Sequence, residues 1–349
     1  MTTGEFHVWS TEPGDVERWL ECWHAWPRRE VYAHPGYLRL YADDRSRPLC
    51  AAWTGDEGTV LYPLLLRDLT KEPFCPPEIE RAADLTSPYG YGGPFFWVHD
   101  REAVAAEFWP RFDEWARSET VVSEFVRLAL FPDELLPYPG ERVQRLVNVV
   151  RDLERDPDEL WMDFEHKVRK NVKKARRSKV RVELDETGEG LDDFLRLYRH
   201  TLERREADER YDFPPELFEA IRDELPGQFL YAHALAGDRV VSSELVLVSA
   251  ETVYSFLGGT DSDSFELRPN DLLKHELILW ARGAGKRNFV LGGGYREDDG
   301  IFRYKRSFAP HGLTPFFAGQ RILEPELYRR LTEQRGAEAA TDYFPAYRA

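Results

Sequence analysis

The amino-acid sequence predicts an α/β (α+β) fold of two tandem domains, each a mixed, mostly antiparallel sheet flanked by helices. The chain of 349 residues is long enough for two domains, since single domains usually run to about 100–200 residues. Three segments between Phe229 and Leu257 alternate apolar and polar residues, as consecutive strands do. Helical patterns flank them, and the first half repeats this order more loosely. We therefore expect domains at 1–155 and 156–322, with a helix and tail at 323–349 docking back on the body.

The second half follows a regular order of elements. Helices are assigned where apolar residues recur at three- and four-residue spacing, and strands where the period falls to two. A Gly237-Asp238 turn predicts a hairpin between the first two strands. A helix separates the third strand from the last one, so we expect the last strand to lie parallel to a neighbour. The predicted segments are Leu191–Leu202, Pro214–Glu224, Phe229–Leu235, Val240–Val248, Thr252–Leu257, Leu272–Ala281 and Asn288–Leu291.

The first half predicts a helix, a hairpin around Gly55–Gly58, a second helix and two strands, the last of which leads into a strongly basic segment. After the second half comes a charged helix, and an aromatic tail follows it. The predicted segments are Val16–Trp26, Leu49–Trp53, Val60–Leu66, Arg101–Arg117, Phe125–Leu130, Arg142–Leu153, Glu324–Arg335 and Tyr343–Arg348.

Composition and charge limit the classes of function. The net charge is −16, with 42% hydrophobic and 32% charged residues, a profile typical of a soluble globular protein. A chain this acidic is expected to meet a polyanion only through a local basic patch. No apolar run approaches the roughly 18 residues of a membrane helix, and Met1–Glu5 has no signal-peptide pattern. Three cysteines without a CxxC pair argue against a disulfide framework and predict a cytoplasmic protein.

One basic segment, Lys167–Arg181, holds nine Lys or Arg among fifteen residues and no acid. It follows Asp158–Trp161, which has the acidic first turn of a helix. Such a segment is either a solvated helix face or an anion-binding surface. In the second interpretation the residues that would bind phosphates are Lys167, Arg169, Lys170, Lys173, Lys174, Arg176 and Arg177.

Many catalytic motifs are missing from the sequence. It contains no HExxH, GxSxG, Walker A or strand-linked GxGxxG pattern. The nine histidines are scattered without a pair at ligand spacing, so we expect no metal site. Gly292–Gly294 follows a strand, but a glycine triplet alone indicates only a tight turn.

Two segments are more specific. Ser87–Pro94 (SPYGYGGP) would hold Tyr89 and Tyr91 on a stiff loop, either as ligand-binding residues or as a packed aromatic turn. In Asp299–Phe308 (DGIFRYKRSF), aromatic and basic residues interleave beside a strand end. This pattern predicts a half-buried cation at Lys305, or else a surface lysine paired with a neighbouring aspartate.

Taken together in chain order, six segments resemble the FemABX-like branch of the GNAT acyltransferase superfamily. This branch includes the peptidoglycan interpeptide-bridge aminoacyltransferases and the cellulose-biosynthesis-type (BioF2-like) acetyltransferases. The resemblance covers nearly the whole chain and implies two GNAT-like domains. The segments are Ser87–Pro94, Arg169–Ala175 (RKNVKKA), Tyr211–Pro214 (YDFP), Leu267–Asn270 (LRPN), Leu291–Gly294 (LGGG) and Phe302–Phe308 (FRYKRSF).

The resemblance implies transfer of an aminoacyl group from aminoacyl-tRNA to an amine of a peptide, cell-wall precursor or small molecule. The donor would be a co-substrate, and no tightly bound cofactor is expected. The basic segment Lys167–Arg181 could bind the tRNA phosphates, or equally the diphosphate of a nucleotide-linked precursor. The lysine that FemX-type enzymes use falls on Lys305, which would stabilise negative charge in the transition state or contact the donor ester or phosphate. The resemblance gives weaker substrate-binding roles to Tyr89, Tyr91, Tyr211, Tyr254, Arg268, Asn270, Phe302, Arg303 and Tyr304.

The main alternative function is that of an acyl-CoA-dependent GNAT acting in polysaccharide or secondary-metabolite synthesis. A third possible function is that of a non-catalytic binding module. Ordinary GNATs hold the CoA diphosphate on a glycine-rich loop at a helix start. Here Gly259–Asn270 is acidic, and Pro269 removes an amide donor where a phosphate would bind. This departure favours the tRNA-dependent interpretation. Neither the acceptor nor the oligomeric state follows from the sequence.

Overall fold

Helices and strands follow one another in two similar blocks. The computed structural model describes residues 4–205, 212–296, 298–336 and 343–349. The chain divides into an N-terminal unit of Met1–Pro27, Tyr32–Arg145 and Phe316–Ala349, and a C-terminal unit of Arg28–Val31 and Leu146–Pro315. The sequence placed the domain limits at 155/156 and 322/323. The compact units instead divide within two long strands, Glu141–Asp152 and Leu313–Ile322.

The N-terminal unit is a sheet with helices. Its strand order is β1-β2-β3-β4-β6-β13, with β5 pairing to β3. Strands β2 and β3 form the expected antiparallel hairpin, with Gly55 opposite Gly58, while β4 and β6 run parallel and are joined through α3. The elements are β1 (Gly4–Ser10), α1 (Asp15–Ala25), α2 (Pro35–Arg39), β2 (Ser46–Gly55), β3 (Gly58–Asp68), β4 (Ala83–Thr86), β5 (Phe95–Val98), α3 (Arg101–Ser118), β6 (Val121–Arg127), and later β13 (Leu313–Ile322) and α10 (Pro325–Arg335).

The C-terminal unit repeats this plan. Its strand order is β7-β12-β11-β10-β9-β8. Strands β9, β10 and β11 are antiparallel, and β11 and β12 are parallel across helix α8, which confirms the predicted parallel last strand. The elements are β7 (Glu141–Asp152, entering from the N-terminal unit), α4 (Pro157–Asp163), α5 (His166–Arg177), β8 (Val180–Asp185), α6 (Leu191–Arg205), α7 (Pro215–Glu224), β9 (Phe229–Ala236), β10 (Arg239–Val248), β11 (Thr252–Thr260), α8 (Pro269–Gly283), β12 (Asn288–Gly292) and α9 (Gly300–Arg306).

Strands β11 and β12 separate after a short paired stretch. Their parallel pairing ends at Tyr254 and Val290. Beyond this point β11 continues alongside β10 as far as Thr260, and β12 continues alongside β7 as far as Gly292. The sheet therefore opens between two parallel strands at their carboxyl ends, and α9 follows directly after this opening.

Burial of apolar residues accounts for these elements. In the C-terminal unit, Leu273, Leu277 and Ile278 of α8 are fully buried in one apolar cluster that also contains residues of β9, β10 and β12. Because they recur at helical spacing, they fix the face that α8 turns to the sheet. No described helix is long and apolar enough to cross a membrane.

The C-terminal tail packs within the N-terminal unit. Tyr347 is fully buried in a cluster with Leu69 and Val122, and its hydroxyl group lies 2.6 Å from Ser123 Oγ. Arg348 donates to both carboxylate oxygens of Asp84. Tyr347 and Arg348 both belong to the tail that is expected from the sequence to dock on the body.

Candidate active site

Helix α9 carries Lys305, and its start is set by one carboxylate. Asp299 Oδ1 accepts a hydrogen bond from the amide of Phe302 at 2.7 Å, which caps the helix. The other oxygen, Oδ2, accepts from the amides of Tyr295 at 2.6 Å and Arg296 at 3.1 Å. Burial acts to raise the pKa of Asp299, but these amide donors outweigh it and lower the pKa. The charged carboxylate therefore ties the loop after β12 to the first turn of α9.

The Lys305 ammonium lies in a poorly solvated position. The side chain is half-buried, and its Nζ donates to the carbonyl oxygen of Gly293 at 2.7 Å. Burial lowers its pKa to about 8, and the Lys274 charge adds to the effect. Among the described residues, no carboxylate oxygen lies within ion-pair distance of Nζ. At neutral pH the group is thus a cation that has lost part of its hydration without forming an ion pair to any residue that the structure describes.

The interpretation of Lys305 as a surface lysine paired with an aspartate does not fit this geometry. Asp298 faces two arginines instead, Arg303 and Arg306, at 3.7 and 3.6 Å. Asp299 is committed to the backbone amides of the loop and of α9.

Glycine is required where the ammonium contacts the loop. Gly292 has a φ of +85°, which side-chain-bearing residues rarely adopt. A Cβ atom there would lie 3.0 Å from Lys305 Nζ, so a larger residue would also push the ammonium by a few tenths of an ångström. The glycine triplet after β12 therefore shapes the environment of Lys305 as well as forming a turn.

A second buried lysine lies nearby. Lys274 of α8 forms a buried ion pair with Glu244 of β10 and also donates to Ser255 Oγ at 2.9 Å. Ser255, on β11, donates to the same Glu244 oxygen at 2.6 Å. The charges of Lys274 and Glu244 both influence the pKa of Lys305, the first lowering it and the second raising it. We call these three residues the buried triad.

Aromatic residues accompany Lys305 on α9. Tyr304 donates to the carbonyl oxygen of Asn270 at 3.3 Å, which links α9 to the first turn of α8. Its ring contacts Phe308 edge to face, with centroids 5.2 Å apart. Phe302 is buried in the apolar core. Three of the residues expected at the site therefore lie on α9 or in contact with it, namely Tyr304, Phe302 and Asn270.

The start of helix α8 is acidic. Arg268 stands at the cap in the left-handed conformation (φ 61°), and Pro269 follows as the first helical residue. Asp271 is buried and accepts from Asn171 at 3.1 Å. Burial raises the pKa of Asp271, although Asn171 and the Arg268 charge oppose the effect. The usual anion-binding features of a helix N-terminus are weakened here, because one amide is missing and a carboxylate is already present.

The basic segment Lys167–Arg181 extends through helix α5 into the start of β8. Its apolar residues Val168, Val172 and Ala175 are buried, so the cations are directed away from the core. Lys174 pairs with Glu266 at 3.1 Å and Arg176 with Glu276 at 2.8 Å.

Two other cations of α5, Arg169 and Lys173, contact uncharged groups of the protein. Arg169 donates to backbone carbonyls, including that of Met162 at 2.7 Å, and Lys173 lies over the ring of Trp161. Exposed side chains without an ion-pair partner among the described residues are Lys167, Lys170, Lys173 and Arg177.

Other expected site residues lie elsewhere. Tyr254 is 2% exposed, and its hydroxyl group donates to Glu30 at 2.8 Å. Arg303 is exposed and donates to the carbonyl of Asp298 at 2.8 Å, while Tyr211 falls outside the described residues. Their substrate-binding roles stay predictions.

The loop Ser87–Pro94 lies in the N-terminal unit. Tyr89 is 36% exposed there, whereas Tyr91 is packed between Tyr32 and Phe316, with ring centroids 5.4 and 5.7 Å away. The substrate-binding role expected for the two tyrosines stays a prediction.

One arrangement superficially resembles a hydrolase triad. Ser243 Oγ lies 3.0 Å from His233 Nδ1, and His233 Nε2 lies 3.8 Å from Asp185. Both Ser243 and His233 are buried, at 1% and 5% exposure. A Cβ on Gly190 would meet the imidazole at 2.3 Å, so backbone covers the ring. Without access for a substrate, this cluster is structural. Among the described residues no group of His, Cys, Asp or Glu could hold a metal ion.

The buried triad was not predicted from the sequence. Both charged members carry a signal that could have revealed them. Glu244 interrupts an apolar strand pattern, and Lys274 stands among leucines on the apolar stripe of α8. A charged residue at such a position is expected to have a buried partner. Which two positions pair, however, depends on how α8 crosses the sheet.

Comparison with known proteins agrees with this geometry. Residues 162–306 match the sequence model of the family described as acetyltransferase (GNAT) domain. This match covers the opening of the sheet, the buried triad and Lys305. Similarity to a GNAT domain is thus shown for residues 162–306 of the chain. No curated protein sequence matches the chain.

Solved structures extend the likeness to most of the chain. The crystal structure of FemX has a TM-score of 0.69 at 16% identity, covering 90% of this chain and 97% of that one. The C-terminal domain of a putative lysylphosphatidylglycerol synthetase from Agrobacterium fabrum gives 0.54 at 14% identity, covering 88% and 91%. L-PGS from Bacillus licheniformis gives 0.52 at 13% identity, covering 94% and 97%. The predicted resemblance to the FemABX-like branch is confirmed at the level of the fold.

Proposed function

We propose that this protein transfers an aminoacyl group from aminoacyl-tRNA to an amine of a peptide, precursor or small-molecule acceptor and forms an amide bond. The observation that carries the proposal is the environment of the Lys305 ammonium. The side chain is half-buried, has no carboxylate partner among the described residues, and donates to the Gly293 carbonyl at 2.7 Å. Two similar structures support the proposal, since one is FemX and the other is named as a putative lysylphosphatidylglycerol synthetase, whose product carries a lysyl group.

The reaction needs charge stabilisation at one oxygen. The neutral amine attacks the ester carbonyl carbon, and the carbonyl oxygen becomes negative in the tetrahedral intermediate. The carbon–oxygen ester bond then breaks, and the leaving ribose oxygen takes the proton from the amine nitrogen. Lys305 supplies a fixed positive charge for the developing oxyanion, and such a charge is more effective where water is scarce. No protein base is assigned.

The start of α8 supports tRNA over acyl-CoA as the donor. A CoA diphosphate at this helix start would meet Pro269, which lacks an amide hydrogen, and the buried Asp271. Helix α5 instead presents exposed cations along its surface. Phosphates along an RNA backbone match such a row of charges.

A transfer assay separates the two donors. Purified protein is incubated with tRNA charged with radiolabelled amino acid and a panel of amines, with and without RNase, and in parallel with labelled acyl-CoA. We expect labelled amide product from charged tRNA only, and RNase should abolish it. RNase-resistant transfer from acyl-CoA would overturn the proposed donor and support the acyl-CoA-dependent alternative.

The role of helix α5 gives a further prediction. The double substitution Lys170→Gln/Arg177→Gln should weaken tRNA binding and reduce the slope of log Kd against log salt by about one per lost phosphate contact. Filter binding between 50 and 200 mM salt would measure both quantities. The control is Arg47→Gln/Arg81→Gln, which removes two exposed arginines paired with Glu119 in the N-terminal unit. Equal affinity and slope for the two double variants would contradict a phosphate-binding role.

A further inference from the structure

Arg127 at the end of β6 holds the loop Ser87–Pro94 by its backbone. Its amide donates to Ser87 Oγ at 2.9 Å, and its carbonyl accepts from the amide of Gly92 at 2.6 Å. The half-buried guanidinium donates through Nη1 to the Ser87 carbonyl at 3.2 Å and lies over the Phe125 ring, 5.2 Å from its centroid. A guanidinium has five N–H donors, so most of its hydrogen-bonding capacity is not used by these contacts.

The charge of Arg127 has no counter-ion among the described residues. The neighbouring cation Arg67 is bonded to Asp84 at 2.7 Å, and Arg348 is bonded to the same carboxylate. Burial lowers the pKa of Arg127, and the charge of Arg67 lowers it further. A partly desolvated cation beside another cation is electrostatically unfavourable, and an oxyanion ligand would relieve this cost.

Phenol groups influence the charge of Arg127, and the loop beside it is held in one conformation. Ionised Tyr343, Tyr89 or Tyr41 would raise the pKa of Arg127. Tyr37 donates to the Tyr89 carbonyl at 2.6 Å, which fixes the loop. A Cβ on Gly90, whose φ is +101°, would collide with Tyr32 at 2.3 Å. The loop therefore needs glycine there and holds Tyr89 at a set position.

We propose that Arg127 and the surrounding tyrosines form an oxyanion-binding site in the N-terminal unit, which takes the carboxylate or phosphate group of a ligand. A guanidinium fork matches both groups by paired hydrogen bonds. The exposed ring of Tyr89 would contact the part of the ligand next to the anion. This inference does not depend on the aminoacyl donor, because the binding is measured without any acyl transfer.

Binding of two simple probes tests the proposal. Isothermal titration at constant ionic strength uses inorganic phosphate in one arm and N-acetylglycine, a carboxylate, in the other. We expect the wild-type protein to bind at least one probe and Arg127→Met to bind it at least tenfold more weakly. The arm that shows binding identifies the chemical source. The control Arg47→Met should bind like wild type, since that exposed arginine already pairs with Glu119.

A measurement on the unmodified protein covers the case in which Arg127→Met does not fold. Phenylglyoxal labels accessible arginines, and peptide mass spectrometry gives the rate at each one. The binding probe should slow labelling of Arg127 at least threefold and leave Arg47 unchanged. Absence of binding in both arms, equal binding by Arg127→Met, or equal protection of Arg47 would overturn the proposal.

Discussion

Replacing Lys305 with methionine is expected to lower kcat for acyl transfer by about 10²–10³-fold, the usual cost of removing one group that stabilises an oxyanion. Methionine keeps the length of the side chain and removes only the charge and its hydrogen bond to Gly293. Because burial disfavours the ammonium, as its lowered pKa of about 8 indicates, the melting temperature should not fall. A catalytic loss without a stability loss is the pattern expected of a functional group that is held at a cost to stability.

Lys286 supplies a matched control for this substitution. It is also half-buried, and its ammonium donates to the carbonyls of Ser249 at 2.6 Å and Ala250 at 3.0 Å. Burial lowers its pKa as well, so its environment is similar but lacks the α9 loop. We expect Lys286→Met to retain nearly full kcat. If both variants lost activity to the same extent, the effect of Lys305 would be a general consequence of removing a buried lysine.

Replacing Lys274 with methionine should destabilise the C-terminal unit by about 3–5 kcal/mol, since it leaves the Glu244 carboxylate buried without its cation. Glu244 and Lys274 are 5% and 4% exposed, and Ser255 alone cannot offset the charge. The free energy of unfolding, obtained from urea titration followed by tryptophan fluorescence, measures this loss. The double variant Lys274→Met/Glu244→Gln should recover most of it, because it removes the stranded charge.

An exposed lysine–glutamate pair in the same unit is the control. Lys174 and Glu266 are 3.1 Å apart, with 41% and 85% of their side chains exposed. Because such pairs contribute about 0–1 kcal/mol, Lys174→Met should change stability little. Similar losses for Lys174→Met and Lys274→Met, or no recovery in the double variant, would contradict the description of the buried triad.

Local patterns in the sequence were sufficient to predict most of the C-terminal unit. The alternation from Phe229 onward and the leucines of α8 carry their periodicity in consecutive residues, so the predicted strands and helix agree closely with the structure. Helix α9 was not predicted, because Gly300–Arg306 is too short to display a period. Strands β4 and β5 have only four residues each, and this length also hides the pattern.

The candidate site was only partly predictable for a related reason. Lys305 was proposed because aromatic and basic residues interleave around it and because the surrounding motif resembles a family, and its catalytic role stays a prediction. Its contact with Gly293, by contrast, depends on the left-handed turn at Gly292 and on the cap formed by Asp299. Glu244 and Lys274 are 30 positions apart, and only the crossing of α8 over the sheet brings them together. Such contacts arise from tertiary packing, which no local pattern specifies.

The central claim is that a partly desolvated Lys305 ammonium acts on the acyl carbonyl. The pH dependence of the transfer rate is the most direct test of this claim. The acceptor should be hydroxylamine, which is already uncharged at neutral pH, so that titration of the acceptor does not mask that of the enzyme. Lys305 loses its proton as the pH rises through about 8. The rate should therefore fall across that range in the wild-type protein, while Lys305→Arg, which stays charged, should show no such fall. A wild-type rate that stays level or rises between pH 7 and 10, or an identical fall in Lys305→Arg, would contradict the account.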